Sequence, residues 1–136
     1  MVQYTISVTD KSEFTIGATT DSNTASNTVS EGASDNAEVG ITATATDDDD
    51  GDSVTYTMQT TTASCDGWFD IGSSDGIVRV DGSSELDYET VTACVISVTS
   101  TSTDTSTSTE DFTITLTDVN EHAVTSPTAQ TPMRTP

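Results

Sequence analysis

The sequence predicts an all-β protein, a sandwich of about seven short strands. Three observations predict it. Apolar residues alternate with polar ones in run after run, which is the period of a half-buried strand. Asp-Gly pairs at 50–51, 66–67, 75–76 and 81–82 separate those runs as turns. No stretch places apolar residues at i, i+3, i+4 and i+7, the spacing an amphipathic helix needs.

The strands follow in order. The first, interrupted, covers about 14–30: Phe14 and Ile16 alternate, a polar stretch follows, and Val29 stands just before Glu31. The second (38–46) carries Val39, Ile41, Ala43 and Ala45, and the third (53–59) carries Val54, Tyr56 and Met58. The fourth (67–71) holds Phe69 and Ile71 after Trp68, and the fifth (76–80) holds Val78 and Val80. The sixth (93–100) alternates Cys94, Ile96 and Val98, and the seventh (110–117) Phe112, Ile114 and Leu116. The abundance of Thr suits strands better than helices.

One more alternating run, Tyr4, Ile6 and Val8, precedes these strands. Residues 4–10 (YTISVTD) match 112–118 (FTITLTD) at an offset of 108 residues. A period of that length suggests a tandem array of sandwich domains. On this reading residues 1–13 are the last strand and linker of a preceding unit, and 14–121 are one repeat. Residues 122–136, with Pro127, Pro132 and Pro136, are a linker or disordered tail. The run Tyr4–Thr9 lacks its parent sheet, so it is expected to pair on an edge of this domain or of a neighbour.

The 136 residues suffice for one domain. Lys and Arg number 3 against 23 Asp and Glu, a formal net charge of −20. That balance excludes nucleic acid and anionic membrane surfaces, which are held by Lys and Arg. It favours cations, although an acidic surface also serves solubility or high salt. With only 32% hydrophobic and 5% aromatic residues, the composition lies near that of disordered chains. A folded state therefore needs something to offset self-repulsion, and bound cations would do so. No apolar run reaches the length of a membrane span, so direct membrane insertion is not expected. Met1 to Thr9 lack the basic region and apolar block of a secretory signal, so if the protein is exported this is a fragment or the signal lies elsewhere.

Strands that run alternately up and down sort the acids between two poles. Asp10 and Glu13 ahead of the first strand share the top pole with Asp47, Asp48, Asp49, Asp50 and Asp52, between the second and third strands, and with Asp104, between the sixth and seventh. Glu31, then Glu85, Asp87 and Glu89, and finally Asp118, Asn120 and Glu121 belong to the bottom. Crowded like charges repel unless a hard cation joins them. Oxygen ligands without a thiolate or imidazole cluster favour Ca2+ over zinc. An EF-hand does not fit, because Gly51 at its sixth position puts Thr46 first and Thr57 twelfth, neither a carboxylate. His122 reads as a linker residue.

Five segments in order, Val29-Ser30-Glu31-Gly32-Ala33, Ala45 to Gly51 (ATDDDDG), Phe69-Asp70-Ile71, Leu86-Asp87-Tyr88-Glu89 and Asp118-Val119-Asn120-Glu121, resemble the cadherin repeat over residues 14–122. The Thr- and Asp-rich style is similar to the cadherin-like repeats of large bacterial surface adhesins. The resemblance implies an immunoglobulin-like, Greek-key sandwich of cadherin type, with calcium held between consecutive repeats to stiffen an extracellular or cell-surface adhesin. It implies that Glu31, Asp87, Glu89, Asp118, Asn120 and Glu121 serve the C-terminal junction. Asp47 and Asp49 serve the N-terminal one, with Glu13 from the entering linker. The division agrees with the pole assignment.

Three positions depart from the family pattern. Glu121 stands where an Asp is usual. Asp10-Lys11-Ser12-Glu13 is a degraded linker, with Ser12 in the Asn position. Ser102 occupies the place of an aspartate, while Asp104 comes two residues later. In this type of sandwich the third and sixth strands are neighbours, so Cys65 and Cys94 are candidates for a disulfide; the alternative is two separate small core residues. Partners expected are neighbouring repeats of the same chain, with other adhesin molecules in homophilic adhesion or a surface polysaccharide as further candidates. A calcium-dependent carbohydrate-binding module, with Trp68 as an aromatic platform, is the alternative function. No catalytic centre is expected. Asp87 with Glu89 is better explained as a ligand pair than as an acid–base pair, and neither Cys shows a base beside it.

Overall fold

The alternating runs become strands whose apolar faces meet between two sheets. The computed structural model describes residues 1–82 and 85–121; the expected tail, 122–136 with His122, lies outside the described residues. The strands are β1 (Thr20–Asp21), β2 (Thr28–Ser30), β3 (Glu38–Thr44), β4 (Val54–Thr60), β5 (Phe69–Ile71), β6 (Ile77–Val80), β7 (Ala93–Ser102) and β8 (Thr107–Thr117), with a 3-10 turn at Ala63–Cys65. One sheet has the order β1-β3-β6-β5 and the other β2-β8-β7-β4. The chain changes sheet between β1 and β2, β2 and β3, β3 and β4, β4 and β5, and β6 and β7, the crossing connections of a Greek-key sandwich.

The first predicted strand is the main departure. It divides into β1, antiparallel to β3, and β2, parallel to β8, so the chain crosses from one sheet to the other between Asp21 and Thr28. Gly40 makes room for the crossing: its φ is +87°, and a Cβ there would stand 2.2 Å from the Ser26 carbonyl oxygen. The β3–β6 register shifts between Glu38 and Thr42, around the same residue. With the first strand divided, the described strands number eight rather than seven.

The core lies between the sheets. Val39, Ile41 and Ala43 of β3, Val78 and Val80 of β6, and Phe69 and Ile71 of β5 face Cys94, Ile96 and Val98 of β7, Ile114 and Leu116 of β8, and Tyr56 of β4. Trp68 is also buried there. Cys65 and Cys94 form a disulfide, with their Cα atoms 6.0 Å apart. The bridge fastens the 3-10 turn after β4 to the start of β7, and both cysteines are fully buried.

Tyr4–Thr9 does not pair on an edge of this domain. The segment belongs to no strand, and Tyr4, Ile6 and Val8 are exposed. The four edge strands offer it little: β1 has two residues, β2 and β5 three each, and the outward residues Thr55, Thr57 and Gln59 of β4 are polar.

Candidate metal centres at the two poles

β7 is ten residues long, so its ends lie roughly 30 Å apart. The pairing of Val54 with Ser102 puts the β3–β4 connection beside the β7–β8 turn at one end. The pairing of Ala93 with Thr115 puts the β6–β7 connection beside the exit from β8 at the other.

At the first pole Asp47, Asp49, Asp52 and Asp104 each offer a carboxylate oxygen, all within 4.8 Å of one another. Asp47 Oδ1 accepts the Asp49 N–H at 3.1 Å, while Asp47 Oδ2 is buried with no hydrogen-bond partner. A buried carboxylate oxygen without a donor is costly, and a cation would satisfy it. Asp52 accepts the Thr103 hydroxyl at 2.7 Å. Asp104 accepts the N–H and hydroxyl of Ser106 and the hydroxyl of Ser12, and these hydroxyls, that of Ser106 foremost, hold its carboxyl below the usual range.

Asp47 and Asp49 were expected here, and the structure brings them together. Asp52 and Asp104 were missing from the expected ligand set. The turn after β7, with Thr105 at φ +76°, folds Asp104 back over the loop end; that compensates for its late position in the sequence. The β-strand pairing of the loop ends was the signal that could have found both. Glu13 does not join the four carboxylates; its backbone N–H donates to Asp49 instead.

At the second pole Glu31 follows directly on β2 and is only 3% exposed. Its Oε1 accepts the Val119 N–H and its Oε2 the Tyr88 N–H, both at 2.7 Å. These two bonds, Val119 first, hold its carboxyl below the usual glutamate range. Glu31 thereby ties the β6–β7 connection to the exit from β8. Glu31, Glu89 and Glu121 offer oxygens within 4.8 Å of one another. Glu89 is drawn down by its own backbone N–H, but partial desolvation and the charges of Glu31, Asp118 and Glu121 outweigh that and leave it raised.

Asp87 turns instead to Thr90, accepting its N–H at 3.1 Å and its hydroxyl at 2.7 Å, and the hydroxyl bond keeps its carboxyl low. Asp87 and Asp118 lie outside the three-glutamate group. Asn120 is exposed and adjoins Glu121 in the chain.

Both groups are built of oxygens alone. The two cysteines are consumed in the disulfide, and no free cysteine stands among the described residues. Such donor sets suit a hard cation that takes six to eight oxygens. Trp68, the expected aromatic platform for sugar, is a core residue at 6% exposure.

No protein-family model matches the chain, and no curated protein matches it. Solved structures do. The crystal structure of Drosophila N-cadherin EC1-4 is 26% identical with a TM-score of 0.61, covering 70% of this chain and 23% of that one. Human protocadherin-24 EC1-2 is 22% identical with a TM-score of 0.54, covering 70% and 41%. PcdhgB3 EC1-4 is 22% identical with a TM-score of 0.69, covering 84% and 27%. The chain thus spans about a quarter to two-fifths of the chains it resembles. The two sheets, their crossing connections and this likeness agree: the chain has the fold of a cadherin ectodomain repeat.

Proposed function

We propose that this chain is a calcium-binding, cadherin-like module of a tandem-repeat extracellular adhesin, of the kind found on bacterial surfaces. It stiffens the array when calcium is present and so supports adhesion. Residues 14–121 are the repeat, and residues 1–13 are the last strand and linker of the unit before it. The exposure of Tyr4, Ile6 and Val8 supports that division, since these apolar residues fit the inside of a sheet that is not their own. Neighbouring repeats of the same chain are the first partners. Homophilic contact with other adhesin molecules is the second.

The observation that carries the reading is the sorting of carboxylates to two opposite ends, with Asp47 Oδ2 buried and unpartnered in one of the groups. Asp47, Asp49, Asp52 and Asp104 would hold an ion at the N-terminal pole. Glu31, Glu89 and Glu121 would hold one at the C-terminal pole, with Asp87, Asp118 and Asn120 completing the shell alongside residues of the next repeat. Bound calcium would neutralise the facing carboxylates and fix the angle between adjacent repeats. The disulfide fits an oxidising, extracellular setting. Among the described residues, no helix is long and apolar enough to cross a membrane. The reading assigns the module no catalytic step.

Calcium titration calorimetry tests it, repeated on Asp47→Asn and Glu89→Gln. Heats of binding that fall with either substitution support the reading. No heat in the unmodified chain at millimolar calcium sinks it.

A further inference from the structure

The segment Ser12–Thr19 enters the sandwich without joining a ladder, yet hydrogen bonds anchor it along its length. The Ser12 hydroxyl donates to Asp104 Oδ2 at 2.7 Å. The N–H groups of Glu13 and Phe14 both donate to Asp49 Oδ2 at 3.0 Å. The Ile16 N–H donates to the Ser106 hydroxyl at 2.9 Å, the Gly17 N–H to the Thr46 carbonyl at 2.8 Å, and the Thr19 N–H to the Ser108 hydroxyl at 3.0 Å. The acceptors alternate between the β3–β4 connection on one side and the β7–β8 hairpin on the other. The segment is therefore stitched into the cleft between the two sheets.

Three of these bonds run to carboxylates, and charge-assisted bonds are the stronger kind. An ionised carboxylate has about four acceptor positions, so Asp49 can take both N–H groups and still face an ion. At the exit, Val119 N–H meets a carboxylate in the same way, donating to Glu31 Oε1 at 2.7 Å.

We propose that the N-terminal linker is seated on this repeat by direct hydrogen bonds that need no cation. The proposal rests on the tandem-repeat reading above for what lies upstream. Removing calcium then leaves the incoming linker seated on this repeat.

Amide hydrogen exchange on the full chain, in excess calcium and in chelator, tests this directly. The Glu13 and Phe14 amides are expected to exchange about tenfold or more slowly than an open chain in both solutions. Protection that appears only with calcium overturns the proposal. Asp49→Ala in chelator should abolish that protection while the Ile96 and Ile114 amides stay protected; unchanged protection at Glu13 and Phe14 likewise overturns it. Trypsin gives a second readout, because the chain has only three Lys and Arg and one of them, Lys11, immediately precedes the seat. Ser12→Ala removes one hydroxyl, leaves the core untouched, and should speed cleavage after Lys11 in chelator; an unchanged rate counts against the seat. Calorimetry without calcium heats would sink the calcium reading alone, since the chelator arm contains no free cation.

Discussion

Reducing the Cys65–Cys94 bridge should lower the melting temperature by about 16 °C. The bridge closes a loop with a sequence separation of 29 residues, which contains β5, β6 and the Glu89-bearing connection. Closing a loop of that size removes about 12 cal/mol/K from the unfolded chain, or about 3.6 kcal/mol at 25 °C. A repeat of roughly 105 residues unfolds with an entropy of about 0.22 kcal/mol/K, and the ratio gives the expected shift. Reduction is a cleaner perturbation than Cys→Ala, because both thiols remain in their fully buried places and the packing loss stays small. The assay is differential scanning calorimetry of the oxidised and reduced chain at one calcium concentration, with urea unfolding in parallel. The urea m-value should rise on reduction, since an unbridged unfolded chain exposes more surface. A shift under about 4 °C, what roughly 1 kcal/mol gives in a domain of this size, would refute the loop-entropy account.

Four further outcomes are expected. At a calcium concentration ten to a hundred times a dissociation constant typical of extracellular modules, each occupied site should add about 1.4–2.7 kcal/mol, which a melt with and without chelator measures. Glu89→Gln should raise the melting temperature of the calcium-free chain at neutral pH while shrinking the rise that calcium brings. Glu89 has a raised folded pKa, so its favourable contribution is present below its unfolded pKa and lost as pH rises through the folded value; the advantage of Gln should therefore fade as pH falls through that window, as melts at stepped pH will show. Glu31→Gln should lower the melting temperature both with and without calcium, because its amide NH2 would face the N–H of Val119 or Tyr88; since the Glu31 pKa is lowered, the unmodified chain's advantage should be present above the unfolded pKa and lost as pH falls through the folded one. Gly40→Ala should cost about 2–4 kcal/mol in urea unfolding, for the contact with Ser26 and the positive φ together.

The strands that pack on both faces of the core were legible because their side chains alternate without interruption. Val39-Ile41-Ala43 and Cys94-Ile96-Val98 read as inward positions and are inward. The first strand was not legible as two, since Thr20 and Asp21 carry no apolar signal and the crossing depends on the close approach at Gly40. β7 runs further than its apolar residues suggest, because Ser100 and Ser102 point inward where an apolar residue would mark a strand. Ser100 is satisfied by the Thr19 hydroxyl at 2.8 Å. The two poles could be read from strand alternation alone. Which acids converge within a pole could not, because that depends on turn conformation: the backbone at Thr105 carries Asp104 inward, and Asp87 is diverted by Thr90. The use of Glu13 through its N–H rather than its carboxylate leaves no trace in residue type.

β2 lies parallel to β8, paired from Thr28 with Thr115 to Ser30 with Thr117, close to where the chain departs. A force applied between the two ends of the domain would pull these neighbouring strands in opposite directions along their length. Their hydrogen bonds are then loaded in shear, all at once, rather than peeled one by one. Resistance to pulling is set by the unfolding barrier rather than by equilibrium stability. A three-residue parallel pairing, minor in the energetics of the resting fold, thus stands across the line of such a pull.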